Sequence, residues 1–307
     1  MAGLVDRAAI PPRQCVITRL NGGLGNQLFQ YAAGFALAER LAVPLKMDLS
    51  VFATYPLRRF ELDKFQISAA AATPEDIAGY VVNPRRWQRY AGRLAVNLGL
   101  GTNKIVFREN QYPYNRAFAR IRRPMYLDGY WQSEKYFHGV ATKLRGELTL
   151  IKPLGEASSN VLAKILACPA ISLHIRRGDY VSNPAAAEVF RCCSLDYYAA
   201  AVDYLAAQVA DPHFFVFSDD PQWARENLKI AYPVQFVEAN GPDRGVEDMW
   251  LMKSCRHHII ANSSFSWWAA WLNDTPGKVV VAPWAWFLKE KRNRDTGDLI
   301  PAQWLRL

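Results

Sequence analysis

The sequence predicts an α/β fold built on parallel sheets. Two observations carry that expectation: from Pro169 onward short apolar runs alternate with amphipathic stretches, and near the N-terminus an apolar run, a glycine-rich segment and a long helical pattern follow one another. Strands separated by helix-length connections cannot be hairpin partners, so this order implies parallel strands with helices on the faces of the sheet.

The first unit reads as the buried strand "QCVITRL", the tight turn "GGLGN" and the helix "QLFQYAAGFALAERLA", whose apolar residues recur at three- and four-residue spacing. From Pro44 to about Leu166 the pattern is less regular. Helices are expected there near Glu75 to Gly92 and Ser133 to Leu148, and no sheet order follows. After Pro169 come strand "AISLHI", a helix near Leu195 to Val209, strand "FFVF", a helix near Gln222 to Leu228 and strand "VQFV". A helix near Glu247 to Cys255, strand "HHIIA", helix "FSWWAAWLN" and strand "KVVVA" complete the series. This half reads as a Rossmann-type nucleotide domain, in which ligands sit beyond the carboxyl ends of the strands. With 307 residues the chain exceeds the usual size of one core, so two domains sharing a cleft are expected, 1–166 and 167–307.

Half of the residues are hydrophobic and 13% aromatic, enough for a packed core and unlike a disordered chain. No stretch approaches the ~20 apolar residues of a membrane span, and "MAGLVDRAAIPPRQCVITRL" lacks the apolar core of a signal peptide. Cys15, Cys168, Cys192, Cys193 and Cys255 form no CxxC pair, and an odd count suits no disulfide framework, so a reducing cytoplasm is the expected home. The net charge of +9 suits nucleic acid, an anionic membrane surface or phosphate-bearing small molecules. Much of it lies in "NPRRWQRYAGR" and "RAFARIRRP", which read either as solvated helical faces or as a patch for peripheral contact with the inner membrane.

In "HIRRGDY", Arg176, Arg177 and Asp179 follow a strand, where arginine forks can hold phosphate oxygens bidentately; an Arg–Asp staple of the loop is the simpler alternative. In "ANSSFSWWAAWL", Ser263 and Ser264 begin a helix, where backbone N–H groups and hydroxyls can bind phosphate or the serines can serve as caps. Trp267, Trp268 and Trp271 are expected in the core. "FSDDPQW" sets Ser218, Asp219 and Asp220 before a helix that starts at proline, one acid as cap and the other within reach of a ribose. Glu247 and Asp248 fall in a helix's first turn, where they complement its dipole, and an aspartate aimed at the cleft could accept from guanine. "NGGLGNQLFQYA" is neither a dinucleotide fingerprint nor a P-loop, because Leu28 replaces the third glycine and no lysine follows. No metal-binding motif is present, and His257 and His258 read as structural or as charge near the cleft.

Together and in order, "NGGLGNQLFQYA", "HIRRGDY", "FFVFSDD" and "NSSFSWWAAWL" closely resemble the bacterial α-1,2-fucosyltransferases of glycosyltransferase family eleven, over about Val16 to Trp284. The resemblance implies a GT-B-like fold, two Rossmann-like domains facing across a cleft, with 1–166 on the acceptor side and 167–307 binding the donor. It also implies inverting transfer of L-fucose from GDP-β-L-fucose to the 2-hydroxyl of a terminal β-galactoside, an oligosaccharide or glycolipid precursor, with no metal or cofactor. Under it Arg176 holds the GDP phosphates, and His174 and Asp248 contact guanine or ribose. Ser263, Ser264 and Phe265 hold the β-phosphate, with Asn262, Arg177, Ser218 and Asp220 completing the donor set. Gly22, Gly23, Gly25, Asn26 and Gln27 face the acceptor, Asn26 and Gln27 near the reaction centre. Asp179 is the first candidate base, with Glu188 and Asp220 behind it, although two flanking arginines would make it a weak base and suit an orienting role. Because "HIRRGDY" also occurs in α-1,6- and protein O-fucosyltransferases, another linkage is the nearest alternative. Nucleic-acid binding is a more distant one, since no known module appears.

Overall fold

A computed structural model describes residues 14–54, 58–80, 105–109, 112–238, 240–241, 244–289, 293 and 295–307. The first sheet contains β1 (Val16–Arg19), β2 (Leu45–Asp48), β3 (Ala70–Ala71), β4 (Val106–Arg108) and β5 (Tyr126–Asp128), all parallel, in the order β3-β2-β1-β5-β4. Its main helix is α1 (Leu24–Leu41); α2 (Pro74–Ala78), α3 (Ala141–Glu147) and α4 (Glu156–Leu166) follow.

The second sheet is also parallel, in the order β11-β10-β9-β6-β7-β8. Its strands are β6 (Ala170–Ile175), β7 (His213–Ser218), β8 (Val234–Phe236), β9 (His257–Ile259), β10 (Val280–Ala282) and β11 (Leu305–Arg306). Between them run α5 (Gly178–Ser182), α6 (Pro184–Ala187), α7 (Leu195–Ala206), α8 (Pro221–Asn227), α9 (Gly245–Ser254) and α10 (Ser264–Leu272). The chain starts this sheet in the middle, at β6, adds β7 and β8 on one side and then β9 to β11 on the other. That is a doubly wound order, whose crevice opens where the winding reverses, between β6 and β9.

The wholly buried run "AISLHI" explains why β6 is central: strands covered on both faces are continuously apolar. One apolar core runs through both halves. Phe29 of α1 packs 4.5 Å from Trp267 and 5.1 Å from Trp268 of α10, ring centre to ring centre, and Phe137 stacks on Trp268 at 5.3 Å. The three tryptophans of α10 are buried as expected.

Several expectations change. "GGLGN" is only partly a turn: Gly22 takes the left-handed φ of +77°, Gly23 caps the helix, and Gly25 and Asn26 already lie in the first turn of α1. Among its described residues the stretch from Pro44 to Leu166 supplies four strands of two to four residues, too short to leave a period in the sequence. The helix expected from Ser133 to Leu148 is two single 3-10 turns, Glu134–Tyr136 and His138–Val140, leading into α3. The helix expected from Glu75 to Gly92 is only the short α2, which starts one residue earlier and ends at Ala78 before a turn at Gly79 and Tyr80; residues 81–92 and the basic stretch from Asn83 to Arg93 lie outside the described residues.

Candidate active site

A cavity of about 580 Å³ opens between the two sheets, within the size range of small-ligand sites. Every described residue lining it follows the carboxyl end of a strand. Gly23 to Asn26 follow β1, Arg58 and Glu61 follow β2, Tyr112 follows β4, and Tyr130 and Gln132 follow β5. From the other sheet come Arg176, Tyr180, Val189 and Phe190 after β6, Asn262 to Phe265 after β9, and Trp286 and Phe287 after β10. The winding reverses between β6 and β9 in one sheet and between β1 and β5 in the other, so both crevices open into one cavity.

On the β6 side, Arg176 reaches the cavity while its Nη1 donates to Asp219 Oδ2 at 3.0 Å. The other oxygen of Asp219 accepts from the backbone N–H of Arg177 at 2.8 Å. Gly178 is small because a Cβ there would lie 2.8 Å from Asp219 Oδ2. Arg177 does not line the cavity: its guanidinium lies 3.9 Å above the Trp223 ring and pairs with Asp220 at 3.3 Å. Asp220 also caps α8 by accepting from Trp223 N, and the Ser218 hydroxyl accepts from Asp220 N. Arg177, Ser218 and Asp220 therefore brace the loop rather than reach a ligand in this cavity, and Asp219 is spent on the arginines instead of a ribose. The carboxylates that staple the arginines thus come from the end of β7. The side chain of Asp179 lies outside the described residues. Glu188 is exposed.

His174, two residues before Arg176, is 5% exposed, and its Nδ1 has no hydrogen-bond partner. Burial, outweighing the nearby Asp219 carboxylate, pushes it down to about 4, so the ring is neutral near pH 7. Its ring centre lies 5.6 Å from that of Phe265.

After β9, Ser263 caps α10, its hydroxyl accepting from Phe265 N at 3.3 Å. The Asn262 amide is committed to structure, donating to the carbonyls of Arg191 at 2.8 Å and Trp286 at 2.9 Å. It thereby ties together the two loops that carry the aromatic wall. In that wall Tyr180 stacks on Phe190 with centroids 4.8 Å apart, Phe190 meets Phe287 at 5.6 Å, and Tyr112 meets Phe287 edge-on at 5.0 Å.

On the β1 side, Gln132 Nε2 donates to Asn26 Oδ1 at 2.7 Å, and Tyr112 donates its hydroxyl to Gln132 Oε1. This chain leaves the Asn26 amino group as the donor available to the cavity. Gln27 is wholly buried, its amide donating to the Gly22 and Arg59 carbonyls while its oxygen accepts from Glu61 N at 3.0 Å. It positions the loop after β2 instead of sitting at a reaction centre. Asp248 does not line the cavity either: it accepts from Asn240 Nδ2 at 2.6 Å, and burial pushes its carboxyl up to about 6. His258 bridges Ser172 and Asn273 inside the second sheet, a structural role.

Tyr112, Tyr130, Gln132, Glu61 and Glu109 escaped the sequence reading. Glu109 accepts from Tyr130 N at 2.7 Å and Trp131 N at 3.0 Å, holding the turn in which Trp131 takes a φ of +56° and Tyr130 and Gln132 reach the cavity. The one legible signal was "DGYWQ", a glycine before polar and aromatic residues after an apolar run.

Residues 111–305 match the family model described as glycosyl transferase family 11. The chain belongs to that family. An alpha-1,2-colitosyltransferase of Escherichia coli is 35% identical over 304 residues, covering 95% of this chain and 98% of the relative. A galactoside alpha-(1,2)-fucosyltransferase 2 of Oryctolagus cuniculus is 26% identical over 291 residues, 88% of this chain and 73% of the relative. Among solved structures, a mutant of Arabidopsis thaliana FUT1 in complex with GDP superposes with a TM-score of 0.50 at 12% identity, covering 87% of this chain and 70% of that one. The likeness is one of fold, and the fold of this family 11 chain is GT-B-like. Among the described residues no helix is long and apolar enough to cross a membrane.

Proposed function

We propose that this chain is an inverting galactoside α-1,2-fucosyltransferase using GDP-β-L-fucose, a galactoside such as an oligosaccharide or glycolipid precursor being the acceptor. The observation that carries the reading is the convergence of Arg176 and the N-terminus of α10, with Ser263 and Ser264, on the one cavity into which both crevices open. Inversion places the acceptor hydroxyl opposite the departing GDP, so negative charge grows on the β-phosphate as the sugar C1–O bond lengthens. Arg176, oriented by Asp219, and the first N–H groups of α10 are donors suited to that charge; removing one such donor typically costs about 100- to 1000-fold in rate. They supply by fixed dipoles what a metal supplies elsewhere, so the proposed reaction uses no metal. His174, with its unpartnered Nδ1, suits a polar atom of the nucleoside. The wall of Tyr180, Phe190 and Phe287 suits the C–H faces of a deoxy sugar. Asn26, its oxygen taken by Gln132, offers an N–H to an acceptor hydroxyl.

The relative named for colitosyl transfer favours a second reading, colitose in place of fucose on the same scaffold. Incubation with GDP-fucose or GDP-colitose and a panel of galactosides, with product linkage assigned by NMR, tests both. A 2-linked fucosyl product supports the first and exclusive use of GDP-colitose the second; no transfer from either donor to any galactoside overturns both.

A further inference from the structure

We propose that Glu61, in the loop after β2, is the general base of the reaction. The inference rests on the proposed transfer to a galactoside and deepens it by naming the group that takes the acceptor's proton.

A hydroxyl that attacks a sugar carbon must lose its proton, and the accepting group has to lie in the same cavity as the hydroxyl. Among the described residues lining the cavity, Glu61 is the only carboxylate, and no histidine or lysine lines it. It belongs to the sheet opposite the one that carries Arg176 and Ser263, which is the side from which an inverting acceptor must approach. Its backbone is pinned by Gln27, which accepts from Glu61 N and donates to Arg59 O at 2.8 Å, so the carboxylate is carried on a braced loop.

Its surroundings suit a base. Burial, the largest influence, raises the carboxyl above the usual glutamate range; Lys64, Arg59 and Arg58 and the Leu24 backbone N–H oppose this without cancelling it. The N-terminus of α1 is thus answered by the protein's own carboxylate, whereas that of α10, across the cavity, is capped by neutral Ser263. In the step itself the acceptor O–H proton passes to the Glu61 carboxylate as the oxygen bonds to the sugar C1. The C1–O bond to the β-phosphate breaks, its electron pair leaves with GDP, and Glu61 returns the proton to water.

The test compares wild type with Glu61→Gln and Glu61→Asp, using GDP-fucose and the best galactoside, with GDP affinity by calorimetry and thermal melting as controls. For Glu61→Gln the expected result is a kcat loss of about 100- to 10,000-fold, with GDP affinity within about 3-fold and a folded protein, and with the acid limb of the pH profile gone from the residual rate. Glu61→Asp keeps a carboxylate and is expected to keep that limb and an intermediate rate. Because the base works ionised, the wild-type limb lies at higher pH than for an ordinary glutamate. A folded Glu61→Gln enzyme with kcat within about 3-fold of wild type overturns the proposal, as does a Glu61→Asp enzyme no faster than Glu61→Gln. Wild-type protein that binds GDP but moves neither fucose nor colitose to any galactoside overturns the functional reading itself, and the base with it.

Discussion

Gly25 lies so close to Ser264 that a Cβ at position 25 would sit 2.5 Å from the carbonyl carbon and from the hydroxyl of the serine, and 2.7 Å from Phe265 N. The first turns of α1 and α10 therefore meet at the cavity wall, the Gly25 backbone against both the backbone and the hydroxyl of Ser264, and the glycine is required by contact and not by its own dihedral angles. Gly25→Ala is expected to cost ~1–3 kcal/mol through overpacking and to weaken GDP binding by displacing the start of α10. Gly146→Ala, in α3 with nothing within 4 Å of the added carbon, is expected to be neutral or to stabilise by up to about 1 kcal/mol. Urea denaturation of the two variants, with GDP titrations, checks the contrast.

Asp219 accepts from the Arg176 side chain and from the Arg177 backbone, so one carboxylate positions the loop and a cavity-lining cation together. Asp219→Asn is expected to weaken GDP binding about 10- to 100-fold, the equivalent of a lost charge-assisted hydrogen bond of ~1.5–3 kcal/mol. Arg177→Ala removes a cation stacked on Trp223 outside the cavity and is expected to change GDP affinity by less than about 3-fold. Calorimetric GDP titrations of both variants decide it, and an equal loss for both would contradict the division of labour between the arginines.

Asp248 and His258 impose opposite pH dependences on stability. The Asp248 carboxyl, raised by burial to about 6 in the folded chain, contributes stability that is fully present below the ordinary aspartate value of 3.8 and lost as pH rises through about 6. His258 is buried and held well below its ordinary 6.5, so its contribution is lost as pH falls below 6.5. Asp248→Asn keeps an oxygen to accept from Asn240 and removes the first effect. It is expected to gain on the order of 2 kcal/mol over wild type at pH 8, to lose that advantage near pH 4, and to fall more steeply in melting temperature between pH 7 and 5. Melting curves across that range test it.

The parallel α/β architecture was legible because its cause is local: continuous apolar runs such as "AISLHI" and three- and four-residue spacing in "QLFQYAAGFALAERLA" survive in the sequence whatever packs on them. So were the loop positions of Arg176 and Ser263 and a cap at one acid of the Asp219–Asp220 pair, since strand ends and helix starts follow from the same patterns; the structure gives that cap to Asp220. Short strands such as Ala70–Ala71 and Tyr126–Asp128 left no period and appear only because neighbours pair with them.

Which polar side chains face the cavity was decided by tertiary structure. Sequence chemistry offered Arg176 and Arg177 as equals and set Asp179 beside them; the fold brings Asp219 and Asp220 from the adjacent strand end, turns one arginine into the cavity and stacks the other on Trp223. It buries Gln27 as a loop clamp, gives Asp248 to Asn240, and carries Glu61 and Gln132 in from segments 34 and 106 residues away from the amides they meet. A residue's type states which bonds it is able to make, but its partner is set by the strand order, because parallel β1, β2 and β5 of one sheet and β6 and β9 of the other release their loops from their carboxyl ends into the same cavity.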